Sequence, residues 1–170
     1  MSHAPIVGVK VVGVTGAARH GKDTFAKALL LAAPGTERIA FSDLIAASER
    51  IAGRMTERDP EHLQATHFTI NRDNLLCAMY EFIRDRRPTI CVITGVRKPD
   101  EVEMIKAMGG KIVKVRRILD GGGVFKTEDR DPAHAVEADI DWLPHDLLIV
   151  ASSALEVEQA ARYYVEELTR

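Results

Sequence analysis

Residues 9–27, VKVVGVTGAARHGKDTFAK, constrain this chain more than any other stretch. An apolar run at 9–14 leads through Gly16-Ala17-Ala18-Arg19-His20-Gly21-Lys22-Asp23-Thr24 into a predicted helix that begins near Asp23. Gly16 and Gly21, followed by Lys22, form the G-x-x-x-x-G-K core of a phosphate-binding loop. Without side-chain bulk at the two glycines, the backbone can turn its N–H groups inward as an anion nest at the start of a helix. Lys22 then brings a positive charge to the β and γ phosphates of a triphosphate. The blander reading, a glycine turn joining a strand to a helix, accounts for the turn but not for the lysine. Asp23 stands where the motif usually has a Ser or Thr on Mg²⁺, and Thr24 follows one place later, so Asp23 is expected to reach a metal through water. Ala17, Ala18 and His20 complete the expected triphosphate- or polyphosphate-binding loop with Gly16, Gly21, Lys22, Asp23 and Thr24.

The rest of the chain shows what kind of sheet carries this loop. A helix over 24–33 stops at Pro34-Gly35, a short strand is predicted at 38–41, and Ser42 or Asp43 can cap a helix running to about Gly53. The polar stretch 56–69 has no clear period, although Asp59-Pro60-Glu61 resembles a helix start. A clearer helix at 71–86 places Leu75, Leu76, Met79, Phe82 and Ile83 on one face. The continuous apolar run 90–94 reads as a strand covered on both sides. A helix from Pro99 to about Met108, strands at 111–115 and 147–150, and a closing helix at 155–168 follow. This alternation predicts an α/β fold, a parallel sheet of five strands with helices on both faces, in one domain spanning 1–170. Ligands of such sheets sit at the carboxyl ends of the strands, so the residues after each strand are the candidates.

Strand two ends at Asp43, which can hold Mg²⁺ through water, accept a proton, or simply cap a helix. Strand three ends at Arg97-Lys98, where the planar fork of Arg97 suits an acceptor phosphate. Strand four ends at Arg116-Arg117, ahead of a glycine-bearing loop that reaches Arg130. Cations at both ends of that segment are what a lid over a phosphoryl-transfer site requires, since water must be kept out. His134 and Glu137 can anchor such a lid or lie on a solvated surface. With 23 Lys plus Arg against 25 Asp plus Glu, the net charge of -2 gives no sign of a surface that coats nucleic acid. Cys77 and Cys91 form no C-x-x-C pair, and no apolar run approaches the roughly 18 residues of a membrane span. The expectation is a cytoplasmic protein.

Taken together, GAARHGKDT, FSDLIAASERIAG, ITGVRKPDEVEMIKAMGGKIVKVRR, the His134/Glu137 pair and DLLIVASSALEVEQ resemble phage deoxynucleoside monophosphate kinases. The likeness spans most of the chain and is most specific in the GKDT loop and the V-R-x-P-x-E block. It implies a P-loop nucleoside kinase that passes the γ-phosphate of ATP, with Mg²⁺, to a (deoxy)nucleoside monophosphate, in the host cytoplasm if phage-encoded. The monophosphate region would span about 42–75 and the lid about 116–137. Lys22, Arg97, Arg116 and Arg130 would be catalytic; Asp43, Arg50, Arg72, Arg97 and Lys98 would bind substrate; Asp23 and Asp43 would hold the metal through water. Neither a nucleic-acid polymer nor a membrane is implied as partner, and a homodimer is an open expectation. Gly95 and Ala151 depart from the family pattern, which usually has Asp and Asn at these places.

Two other functions fit parts of the chain. A P-loop kinase of another small metabolite would share the donor site. A GTP-binding switch would read guanine through Asn-Lys-x-Asp, yet neither Asn71 nor Asn74 precedes a lysine, and Asp120-Gly121-Gly122-Gly123 follows strand four rather than the expected strand. A decayed structural domain is disfavoured by the intact Lys22 and glycines.

Overall fold

Five strands, β1 (Lys10–Thr15), β2 (Thr36–Ala40), β3 (Ile90–Thr94), β4 (Lys111–Arg117) and β5 (Leu147–Ala151), pair in parallel in the order β2-β3-β1-β4-β5. The structure, a computed structural model, describes residues 4–119, 121–125 and 142–169. Helices α1 (Lys22–Ala32), α2 (Phe41–Ile51), α3 (Pro60–Thr69), α4 (Arg72–Arg86), α5 (Pro99–Ala107) and α6 (Ala154–Thr169) cover the sheet.

Strand alternation divides the core in two. Cys91, Ile93 and Ile112 face Ile45, Met79, Ile83, Val102 and Ile105 of α2, α4 and α5. Val12, Val14, Ile90, Val92, Val113 and Val115 face Phe25, Leu29, Val157 and Ala161 of α1 and α6. Burial on both faces explains why β3 is apolar at every position but its last, and why a parallel sheet is stable here. From β1 the chain runs outward to β2, returns to β3 and then crosses to β4 on the far side of β1. The direction of winding reverses at β1, which opens a crevice beyond its carboxyl end.

Two boundaries differ from expectation in ways that move site residues. Phe41, expected to end β2, is the first residue of α2, because the Asp43 carboxylate accepts the Ala40 N–H at 2.9 Å and the chain turns into helix at once. Phe41 is buried, so its apolar character was a sign of core position rather than of strand. Strand β4 runs past Val115 to Arg117, with Arg116 opposite Val150 and Arg117 opposite Ala151. Arg116 therefore lies within the sheet, not in the loop after it.

The stretch that resisted assignment contains α3, started by Asp59, whose carboxylate accepts the Glu61 and His62 N–H groups at 3.0 and 3.2 Å. Glu49 at the end of α2 locks this region. Its side chain, 5% exposed, accepts two hydrogen bonds from Arg54 at 3.0 and 2.6 Å and one from His62 at 2.9 Å. Those partners, Arg54 foremost, bring its carboxyl down from 4.5 to about 2. A depressed carboxylate contributes stability that is fully present above about 4.5 and is lost as the pH falls toward about 2. Glu49→Gln is thus expected to lower the Tm at pH 7 and to flatten its fall across that acidic window. Parallel Tm-versus-pH curves for the two proteins would refute this.

Candidate functional site

The crevice at the switch point holds a cavity of about 370 Å³ lined by Ala18, Arg19, Lys22, Asp23, Arg38, Ala40, Ser42, Arg58, Thr94, Gly95 and Arg97. Its floor is the predicted phosphate loop. Gly16 sits at φ 138°, and a Cβ there would come within 2.3 Å of the Val115 carbonyl oxygen, so no side chain fits. Gly21, at φ 96°, is the N-cap of α1. Arg19, between the two glycines, adopts the left-handed φ of 60°. Lys22 Nζ donates to the Ala17 carbonyl at 2.5 Å, spanning the loop from within.

Five cationic side chains, Arg19, Lys22, Arg38, Arg58 and Arg97, line the cavity against the single carboxylate of Asp23. Asp23 lies 3.2 Å from Arg38. Asp43 opens instead on an adjoining cavity of about 510 Å³ shared with Asp23, Lys27, Leu30, Arg38 and Arg58. Its carboxylate is engaged by the Ala40 N–H and by Arg58 Nη1 at 3.0 Å, while Arg58 Nη2 donates to Ser42 Oγ at 3.0 Å. Of the readings open for Asp43, the helix cap is the one the geometry realises, and the pairing with Arg58 comes in addition.

Arg97 owes its place to Glu101. This carboxylate, fully buried, accepts the Arg97 and Lys98 N–H groups at 2.7 and 3.2 Å through one oxygen. Its other oxygen takes Arg72 Nη2 at 2.7 Å and His67 Nε2 at 2.9 Å. The V-R-x-P-x-E spacing is thereby explained: the glutamate caps α5 and pins the arginine-bearing turn to the sheet end. Arg72, expected on substrate, is instead spent on this network, with Nε donating to Asp100 at 2.8 Å. Burial works to raise the Asp100 carboxyl, yet the hydrogen bonds and charge of Arg72 bring it below its usual value.

Of the other expected residues, Ala18, Lys22, Asp23 and Arg97 line the cavity, and Ala17 contributes its carbonyl to Lys22. Thr24 lies half-buried in the first turn of α1, and Lys98 and Arg116 are half-buried beside the cavity-lining set rather than in it. Arg50 is exposed in the last turn of α2 and lines neither cavity. The His20 imidazole turns away from the cavity and is buried. Arg130, His134 and Glu137 lie outside the described residues, as does most of the 116–137 segment. Arg19, Arg38 and Arg58, which line the cavity, were missed. Arg58 falls in the aperiodic stretch, and only its pairing with Asp43, fifteen positions earlier, brings it to the site.

No family model and no curated protein matches the sequence. Solved structures do match in shape. An unliganded sugar kinase from Janibacter sp. HTCC2649 aligns with a TM-score of 0.55 at 16% identity, covering 93% of this chain and 95% of that one. The tunicamycin resistance protein of Deinococcus radiodurans aligns with a TM-score of 0.56 at 13% identity, covering 95% of each. The chain shares their fold over nearly its whole length; at such identities the likeness is one of architecture. Among the described residues, no helix is long and apolar enough to cross a membrane.

Proposed function

We propose that this protein is an ATP-dependent kinase whose acceptor is itself a phosphate, that of a (deoxy)nucleoside monophosphate. The observation that carries the reading is the charge of the cavity: five cations against one carboxylate, with Asp23 and Asp43 both paired to arginines. A hydroxyl acceptor, as in a kinase of another small metabolite, needs a carboxylate able to take its proton. Here the candidate base, Asp43, does not line this cavity but opens on the adjoining one, where it is paired with Arg58. A monophosphate needs no such base, because its second pKa of about 6 leaves it dianionic at neutral pH. Its oxygen attacks the γ-phosphorus, the new O–P bond forms as the bond to the β,γ-bridging oxygen breaks, and ADP and a nucleoside diphosphate result.

In this scheme the loop amides and Lys22 hold the donor phosphates, and Arg97, fixed by Glu101, holds the acceptor phosphate in line. Arg38 and Arg58 add positive charge on the acceptor side. The residues also fit Mg²⁺. Asp23 and Asp43 offer carboxylate oxygens, and Thr94 Oγ1, in a residue 3% exposed on the cavity wall, has no hydrogen-bond partner among the described residues. Such sparse oxygen donors suit a cation held mostly by water and substrate phosphates. When bound, that ion would neutralise charge building on the β and γ oxygens.

The test is a transfer assay with purified protein, ATP and Mg²⁺ against each common ribo- and deoxyribonucleoside monophosphate, alongside sugars and nucleosides as hydroxyl acceptors. Diphosphate formation from one or more monophosphates is expected. Transfer confined to a hydroxyl acceptor would overturn the reading, and tight nucleotide binding with no transfer would favour a binding switch.

A further inference from the structure

His20 occupies a variable position of the phosphate loop, but its side chain makes contacts that the loop chemistry leaves unexplained. Its ring is buried and lies between two backbone segments that are remote in sequence. Nε2 is 2.9 Å from the Phe125 carbonyl oxygen, and Nδ1 accepts the Arg117 N–H at 3.3 Å. A carbonyl can only accept and an amide N–H can only donate, so these partners select the neutral imidazole with its proton on Nε2. The imidazole and the Phe125 ring also meet in an edge-to-face arrangement at a centroid distance of 6.1 Å, and the Arg117 guanidinium lies over the same Phe125 ring, 4.4 Å from its centroid.

Arg117 and Phe125 belong to a small hairpin that leaves the end of β4. The Phe125 N–H donates to the Arg117 carbonyl at 3.1 Å, an antiparallel bridge joins Ile118 to Val124, and the Leu119 N–H donates to the Gly123 carbonyl at 2.7 Å. His20 therefore grips both strands of this hairpin at its base. A hydrophobic residue of the same shape would fill the space but could not satisfy the N–H of Arg117 or the carbonyl of Phe125.

We propose that His20 is a positioning residue for phosphoryl transfer: it docks the Arg117–Phe125 hairpin onto the phosphate loop and so sets where the Arg117 guanidinium, stacked on Phe125, stands relative to the bound phosphates. The proposal rests on the kinase reading but not on the choice of acceptor. It explains why the loop carries an aromatic nitrogen base at a position where neither glycine geometry nor phosphate binding demands one. On this proposal Arg117, exposed and outside the cavity-lining set in the ligand-free protein, serves the transferring group once substrate is bound; misplacing such a cation by about 1 Å costs up to roughly a hundredfold in rate, so the grip of the buried imidazole matters.

Three variants separate positioning from mere packing. His20→Phe keeps the shape and loses both hydrogen bonds, His20→Asn keeps an acceptor for Arg117, and His20→Gln keeps a donor for Phe125. In the ligand-free protein, amide hydrogen exchange read by NMR is expected to show the Arg117 N–H protected in the wild type and in His20→Asn but exchanging faster in His20→Phe. In steady-state kinetics, followed on the best acceptor or as slow ATP hydrolysis, kcat is expected to fall roughly ten- to a hundredfold in His20→Phe. KM for ATP should stay within about twofold, and His20→Asn and His20→Gln should recover part of the rate. Unchanged Arg117 protection in His20→Phe, or a kcat equal to that of the wild type, would overturn the proposal. A fall in Tm with kcat intact would reduce His20 to packing. Failure of every monophosphate as acceptor would sink the acceptor assignment and leave both readouts of His20 intact.

Discussion

Lys22→Ala is expected to reduce phosphoryl transfer by roughly 10³-fold or more, the scale seen when a preorganised charge aimed at the transferring group is removed. The lysine belongs to the loop rather than to either half of the core: it is half-buried and its Nζ spans back to the Ala17 carbonyl at 2.5 Å. Deleting that single hydrogen bond removes about 1 kcal/mol, which for a chain of this length shifts Tm by only about 2–4 °C. The check pairs the transfer assay with a thermal melt. A variant that melts normally and still turns over near the wild-type rate would mean that the loop does not hold the reacting phosphates. A variant that fails to fold would mean that the Lys22–Ala17 link is structural, and Lys22→Arg would then be compared for retained fold and lost rate.

Arg97→Ala is expected to lower kcat/KM for the monophosphate by about a hundredfold, as for loss of one charged contact made chiefly in the transition state, with KM for ATP little changed. The split follows from geometry. Arg97 lines the cavity from the turn after β3, on what the proposed scheme makes the acceptor side, and its backbone is held by the buried Glu101 carboxylate at 2.7 Å. Removing the guanidinium leaves that backbone bond in place, so the turn should survive. Titrating each substrate separately checks the assignment. An equal loss for both substrates would move Arg97 to the donor side, and an unaltered rate would return it to surface charge.

How far such residues could be found beforehand depended on the range of the interaction that places them. Lys22 was legible because strand, glycine turn, lysine and helix are contiguous, and each link is enforced by neighbours in the chain. Arg97 was legible for a similar reason, as the glutamate that fixes it stands four residues on. Arg58 was not, since the pairing with Asp43 that brings it to the cavity depends on α2 and α3 folding back on each other. Arg72 was misleading in the opposite sense: the resemblance placed it on substrate, but Asp100 and Glu101, twenty-eight and twenty-nine positions later, engage it.

Contiguous patterns in the residue order were enough for the α/β class, the glycine turn that leads from β1 into α1, and five strands within a few residues of their observed ends. Hydrophobic period and glycine placement act over short stretches, where the backbone has few alternatives. Folding then supplied what no local pattern encodes: the strand order β2-β3-β1-β4-β5, the cationic wall formed by Arg19, Arg38, Arg58 and Arg97, and the turning of His20 from the cavity toward Phe125. These depend on which side chains meet after the two faces of the sheet are buried, because a charge finds its partner only when packing has brought both to the same place.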